Sequence, residues 1–270
     1  SLRYQSVKDG NLDKLDDFAL PPEAAQGFYD FLADLKNGEM EDAAYIKGQV
    51  TGPVTLGMQI TVPDQKAAFY HPELQELIVQ SIALQAFWQV RTLKQFGKPV
   101  IIFIDEPGLF RVSRRSSASL DKQQITKDLD AVIDAIHAAD GTAGVHVCAS
   151  TDWSLILSTR TDILNFDAYG YFNSLVVYAE QVKAFLERGG ILAWGLIPTT
   201  NDVFQLTADD LKTKFDEFAD MLADKGVPKE LLLRQALFTP SCGVGNCPVD
   251  LAENVYRLAA ETVQKIRQEM

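Results

Sequence analysis

Val100-Ile101-Ile102-Phe103-Ile104-Asp105-Glu106-Pro107 is a run of five apolar residues closed by two carboxylates and a proline. A half-solvated strand alternates apolar with polar. One buried on both faces reads as an unbroken apolar run, the form strands take in a parallel sheet. Similar short runs recur at 43–50, 143–148, 163–167, 191–196 and 236–239. Between them lie helical patterns at 22–36, 72–96, 121–139, 153–158, 175–188 and 208–225, and a last one covers 249–269. Thr207 and Pro248 mark helix starts, while Gly189-Gly190 and Gly226 mark stops. Strand and helix in strict alternation predict an α/β protein with a parallel sheet.

An open nucleotide-binding sheet and a (β/α)8 TIM barrel both satisfy that rhythm. The first calls for a glycine-rich phosphate turn, and neither GxGxxG nor GxxxxGK[ST] occurs. The second calls for reactive residues at the C-terminal ends of several strands. Such residues stand at 48–53, Asp105-Glu106, His146 to Cys148, Asp167, 195–198 and Ser241-Cys242. The expectation is therefore one barrel domain over 1–270, with an irregular part at 1–40. Six clear strands instead of eight leave two readings: an irregular strand or hairpin within residues 1–20, or a first β/α unit of which part is missing.

Composition narrows the function classes. The chain has 270 residues, 47% hydrophobic and 23% charged, as in globular proteins. No apolar run reaches the roughly 18 residues a membrane helix needs, and the polar start resembles no signal peptide. A net charge of −12 repels phosphate backbones, so nucleic acid is not an expected partner. Three cysteines in such a length are no disulfide framework, which points to a reducing, cytoplasmic setting.

Any metal or thiol chemistry must fall on three cysteines and three histidines. His71 precedes Pro72 at a helix start and His137 lies in a helical pattern, so both read as surface or capping residues. His146 lies in Gly144-Val145-His146-Val147-Cys148, where residues i and i+2 share a strand face, so His146 and Cys148 project together. Such a pair can be a buried polar contact, a nucleophile with its base, or two ligands of a soft metal. Cys242 and Asp167 also end strands. Imidazole plus two thiolates is a zinc set, with Asp167 as an oxygen donor. A core histidine beside two inert thiols is the competing reading. Cys247 reads as a bystander. Asp105 and Glu106 point to opposite sides of their strand, so one at most faces a substrate.

Lys47-Gly48-Gln49-Val50-Thr51-Gly52-Pro53-Val54-Thr55, Ile104-Asp105-Glu106-Pro107-Gly108-Leu109, His146-Val147-Cys148 and Pro240-Ser241-Cys242-Gly243 occur in that order. Together they resemble the catalytic C-terminal barrel of cobalamin-independent methionine synthase, within the uroporphyrinogen decarboxylase-like superfamily. The resemblance implies zinc held by His146, Cys148 and Cys242, with Asp167 where the family has a glutamate. It implies that Asp105 contacts the amino group of homocysteine, and it makes the Asp105-Glu106 pair the candidate catalytic group. The implied activity is methyl transfer to a small-molecule thiol. The donor is methylcobalamin, free or on a corrinoid protein, or methyl-tetrahydrofolate. No first-strand serine motif for the homocysteine carboxylate is visible, and 270 residues leave no room for the family's second barrel. Tyr169, Tyr171 and Trp194 are candidates for a donor pocket or for the core. Two other functions stand beside this one: a metal-free decarboxylase-like enzyme and a non-catalytic corrinoid-binding protein.

Overall fold

The computed structural model describes residues 14–63, 65–110 and 121–269. Part of the segment expected to be irregular, residues 1–13, lies outside the described residues. Six strands are present among the described residues: β1 (Ile46–Thr51), β2 (Val100–Asp105), β3 (Thr142–Val147), β4 (Ile163–Phe166), β5 (Ile191–Ile197) and β6 (Ala236–Pro240). Ten helices accompany them: α1 (Gln26–Lys36), α2 (Pro53–Gln59), α3 (Pro72–Leu93), α4 (Lys122–Ala138), α5 (Ser154–Leu157), α6 (Ala168–Leu175), α7 (Ala179–Glu187), α8 (Ala208–Ala223), α9 (Lys229–Arg234) and α10 (Val249–Glu269). The protein is an α/β protein whose strands fall where the apolar runs predict them. Of the eight strands of a barrel, the described residues hold six. None of the described helices is long and apolar enough to cross a membrane.

The chain divides into two compact units; one boundary follows Gly108 and another falls inside β3 between residues 144 and 145. The first unit carries the strand order β1-β2-β3. β1 and β2 are parallel, with Lys47 opposite Ile101, Gln49 opposite Phe103 and Thr51 opposite Asp105. Ile46, Val50, Val100, Ile102 and Ile104 are buried. Gly48, on the same face, leaves no room for a side chain, since a Cβ there would stand 2.4 Å from Gln89 Oε1 on α3. β1 is an edge strand, and an uncovered edge invites pairing with other chains. Here the Gln89 amide caps it, donating to Gln49 O at 2.8 Å and accepting from Gln49 N at 3.2 Å.

α3 is buried on more than one side. Val79, Ile82, Ala83, Ala86, Val90 and Leu93 are buried, as are Leu84 and Trp88. The last two are covered by Leu15, Phe18, Leu20, Phe28 and Tyr29. Part of the segment expected to be irregular thus has a packing task. Its 3-10 turn Leu15–Phe18 and α1 lay an apolar cover on α3, pinned by Trp88 Nε1 to Asp16 at 3.3 Å.

The second unit carries β3-β4-β5-β6, with β4 parallel to β5 and β5 parallel to β6. Leu192, Ala193, Trp194, Leu196 and Ile197 of β5 are buried, as an apolar central strand requires. Trp194 belongs to this core: its ring centroid lies 5.4 Å from Phe166 and 5.2 Å from Phe215. Between Gly195 and Ile197 the register with β6 shifts by a bulge. A Cβ at Gly195 would meet Phe166 O at 2.6 Å and Ser241 Cα at 3.0 Å, so glycine alone lets these backbones approach. Beyond the bulge, Ser241 N donates to Ile197 O at 2.8 Å, which fixes where Cys242 leaves the sheet. Gly189 and Gly226, with φ of 94° and 90°, close α7 and the turn after α8 as expected.

Candidate metal centre

Strand alternation places the first two donors. Val145 and Val147 are fully buried on one face of β3, while His146 and Cys148 are half-buried on the other. The bulge after Gly195 brings in the third. The donor atoms of His146, Cys148 and Cys242 all lie within 4.8 Å of one another, and all three residues belong to the second unit. Zinc bonds of 2.0–2.3 Å imply donor separations of about 3.4–3.8 Å in a tetrahedron, so small side-chain shifts would close this set on an ion.

The imidazole is held in one orientation. Asn165 Nδ2 donates to Ala193 O at 2.8 Å and to Thr239 Oγ1 at 2.9 Å. A carbonyl oxygen only accepts, so the amide orientation is fixed and Asn165 Oδ1 faces His146 Nδ1 at 2.6 Å. That oxygen also only accepts. Nδ1 therefore carries the proton in the neutral ring, and Nε2 is left with its lone pair. Outer partners of this kind set the tautomer and orientation of metal-binding histidines. Asn165 was not among the residues singled out from the sequence. The signal for it is a lone amide within the buried run Ile163-Leu164-Asn165-Phe166.

The two thiols are electrostatically linked. Cys242 is lowered to about 4, first by a hydrogen bond from Cys148 and then by His146. Cys148 is raised by the same hydrogen bond and by desolvation. Within the pair, Cys242 is the thiol that favours the thiolate, the form of cysteine able to ligate a metal. Cys247 lies outside this group and donates its backbone N–H to Val244 O at 2.9 Å.

Asp167 is also outside the three-donor group. It is the N-cap of α6, with Oδ1 accepting from Gly170 N at 2.7 Å. Desolvation chiefly raises its pKa, while the negative Cys242 raises it and His146 lowers it. It therefore shares the electrostatic environment of the thiols. Tyr171 is exposed at a kink in α6, and the Tyr169 hydroxyl lies 3.4 Å from Asp202 Oδ2.

The other carboxylate pair lies in the first unit. Asp105 ends β2 on the face shared with Lys47, Gln49 and Thr51. Glu106 turns the other way and is fully buried. Its oxygens accept from Val54 N at 2.9 Å, Thr55 N at 2.8 Å and Thr55 Oγ1 at 2.6 Å. It thereby satisfies the first turn of α2, whose N-cap Gly52 has no side chain to do so. Burial raises Glu106 to about 7 despite these donors. Within the 48–53 segment, Gly52 lies directly against Glu106. A Cβ on Gly52 would stand 2.2 Å from its carboxyl carbon.

No protein-family model matches the chain. A protein named methionine synthase, from Methanocaldococcus jannaschii, is 24% identical over 225 residues, which is 82% of this chain. The match spans 65% of that relative's length. The chain is accordingly a distant homologue of a methionine synthase, in agreement with the resemblance carried by its four motifs.

Proposed function

We propose that the chain is a zinc-dependent methyltransferase acting on a thiol, with homocysteine as acceptor and methionine as product. The donor is methylcobalamin, free or on a corrinoid protein, or methyl-tetrahydrofolate. The proposal extends to a single (β/α)8-type domain and a cytoplasmic location. The observation that carries it is the convergence of His146, Cys148 and Cys242 in a methionine synthase homologue.

Bound in this group, zinc would supply the positive charge that stabilises an acceptor sulfur as thiolate at neutral pH. The residues of the chain do the rest. His146 offers Nε2 because Asn165 occupies Nδ1. Cys148 and Cys242 contribute negative charge, which moderates the Lewis acidity of the site and leaves an acceptor sulfur nucleophilic. Asp167, with Oδ1 committed to α6, has Oδ2 left as an oxygen for the fourth position. Asp105 accepts the ammonium of an amino-acid thiol. Glu106 holds the end of β2 against α2 and so acts by position.

Metal analysis with a methyl-transfer assay tests the reading. About one zinc per chain and methionine formation are expected, both lost in His146→Ala and Cys242→Ser. Absence of zinc, with both variants behaving as the parent, would return the chain to the metal-free alternative.

A further inference from the structure

The inner partners of Asp105 on its strand face are more specific than a polar surface requires. In the β1–β2 register, Lys47, Gln49 and Thr51 share one face with Ile101, Phe103 and Asp105. The Lys47 ammonium donates to Gln49 Oε1 at 3.0 Å and lies 4.8 Å from the centroid of the Phe103 ring. Gln49 and Phe103 are paired across the two strands, so the ammonium is held at their level. Asp105 follows Phe103 by one dyad, about 6–7 Å towards the C-terminal end of the strands. The charges feel each other, since Asp105 raises the pKa of Lys47 against the desolvation that lowers it.

This spacing fits a specific ligand form. In an α-amino acid the carboxylate and ammonium are separated by one carbon. A hydrogen bond of about 2.8 Å at each end brings the span to roughly the length of one strand dyad. We propose that Lys47 is the carboxylate anchor of this protein, binding the α-carboxylate of a zwitterionic amino-acid thiol whose ammonium is received by Asp105. The inference rests on the proposed function for the role of Asp105. The Phe103 ring and the Gln49 amide hold the ammonium at one level, so little side-chain freedom is lost on binding.

Equilibrium binding tests this without turnover. Calorimetric titration would use L-methionine and 3-(methylthio)propylamine, which lacks only the carboxylate, against the parent chain, Lys47→Met and Lys47→Arg. The parent is expected to favour methionine by about 10–100-fold, the range of one charge-assisted hydrogen bond. K47M should lose that preference while binding the amine within about twofold of the parent. K47R should retain most of it. Lys47 is exposed, so neither variant disturbs the core. Equal binding of the two ligands by the parent, methionine binding unchanged in K47M, or no methionine binding would each overturn the assignment. Zinc content and thiol methylation are measured alongside. Methylation that persists without carboxylate discrimination leaves the proposed function standing and removes Lys47. Discrimination without zinc or methylation does the reverse.

Discussion

Asn165 Oδ1 lies 2.6 Å from His146 Nδ1 and, as an acceptor, leaves the neutral ring with its lone pair on the opposite nitrogen. The asparagine amide is itself oriented by Ala193 O and Thr239 Oγ1, so three strands cooperate to aim one imidazole. Asn165→Leu removes the acceptor while leaving apolar bulk in an apolar strand. Zinc affinity should fall about 10–100-fold, the usual effect of losing an outer-shell partner, in a competition titration against a chromophoric chelator. Unchanged affinity would show that the histidine is aimed by other contacts.

The shared donor group predicts a pattern of thiol protection. In metal-free protein all three cysteines should react with iodoacetamide, because none is in a disulfide and none is fully buried. Added zinc should slow alkylation of Cys148 and Cys242 and leave Cys247 unaffected, as read by peptide mass spectrometry. Protection of Cys247 equal to that of the other two would place it in the site.

Gly52 faces the buried carboxylate of Glu106 with no room for a methyl group. Gly52→Ala must therefore move either α2 or the end of β2. A loss of about 1–3 kcal/mol is expected, as for overpacking in a close-packed interior, measured by urea unfolding. Parent-like stability would mean that the two segments separate freely.

Glu106 also gives a pH dependence of definite sign. Its folded-state pKa is raised from 4.5 to about 7, so the folded chain holds this proton where the unfolded chain has released it. Stability from this group is complete below pH 4.5 and declines as the pH rises through 7, by about 3 kcal/mol in all. Asp128, raised chiefly by desolvation, adds to the same slope. Glu106→Gln sets an amide nitrogen against an N–H donor and should be less stable at low pH. The difference between parent and variant in urea midpoint should nonetheless shrink from pH 5 to pH 7. A constant difference would show that Glu106 titrates as an ordinary carboxyl.

Local pattern carried much of this molecule. The apolar runs ending in Asp105, Cys148 and Asp167 became β2, β3 and β4 because burial on both faces leaves a mark in each strand's own residues. The pairing of His146 with Cys148 was legible for the same reason, as strand alternation is fixed within three consecutive residues. By contrast, α2 falls between the run at 43–50 and the helical pattern at 72–96, where the sequence reading places no element. Its N-terminal donors are satisfied by Glu106, 51 and 52 residues away, and not by a neighbouring cap. Trp194 was equally ambiguous between core and pocket until Phe166 and Phe215 were seen around it.

By itself, the sequence determined the α/β alternation, the strand positions and the shared strand face of His146 and Cys148. Each depends on residues only a few positions apart. Tertiary structure alone decided that Cys242 meets His146 and Cys148, that Asn165 selects the histidine tautomer, and that Glu106 satisfies the first turn of α2. These depend on register between strands and on a glycine-permitted bulge at β5. Such relations couple residues far apart in the chain, and no local periodicity encodes them.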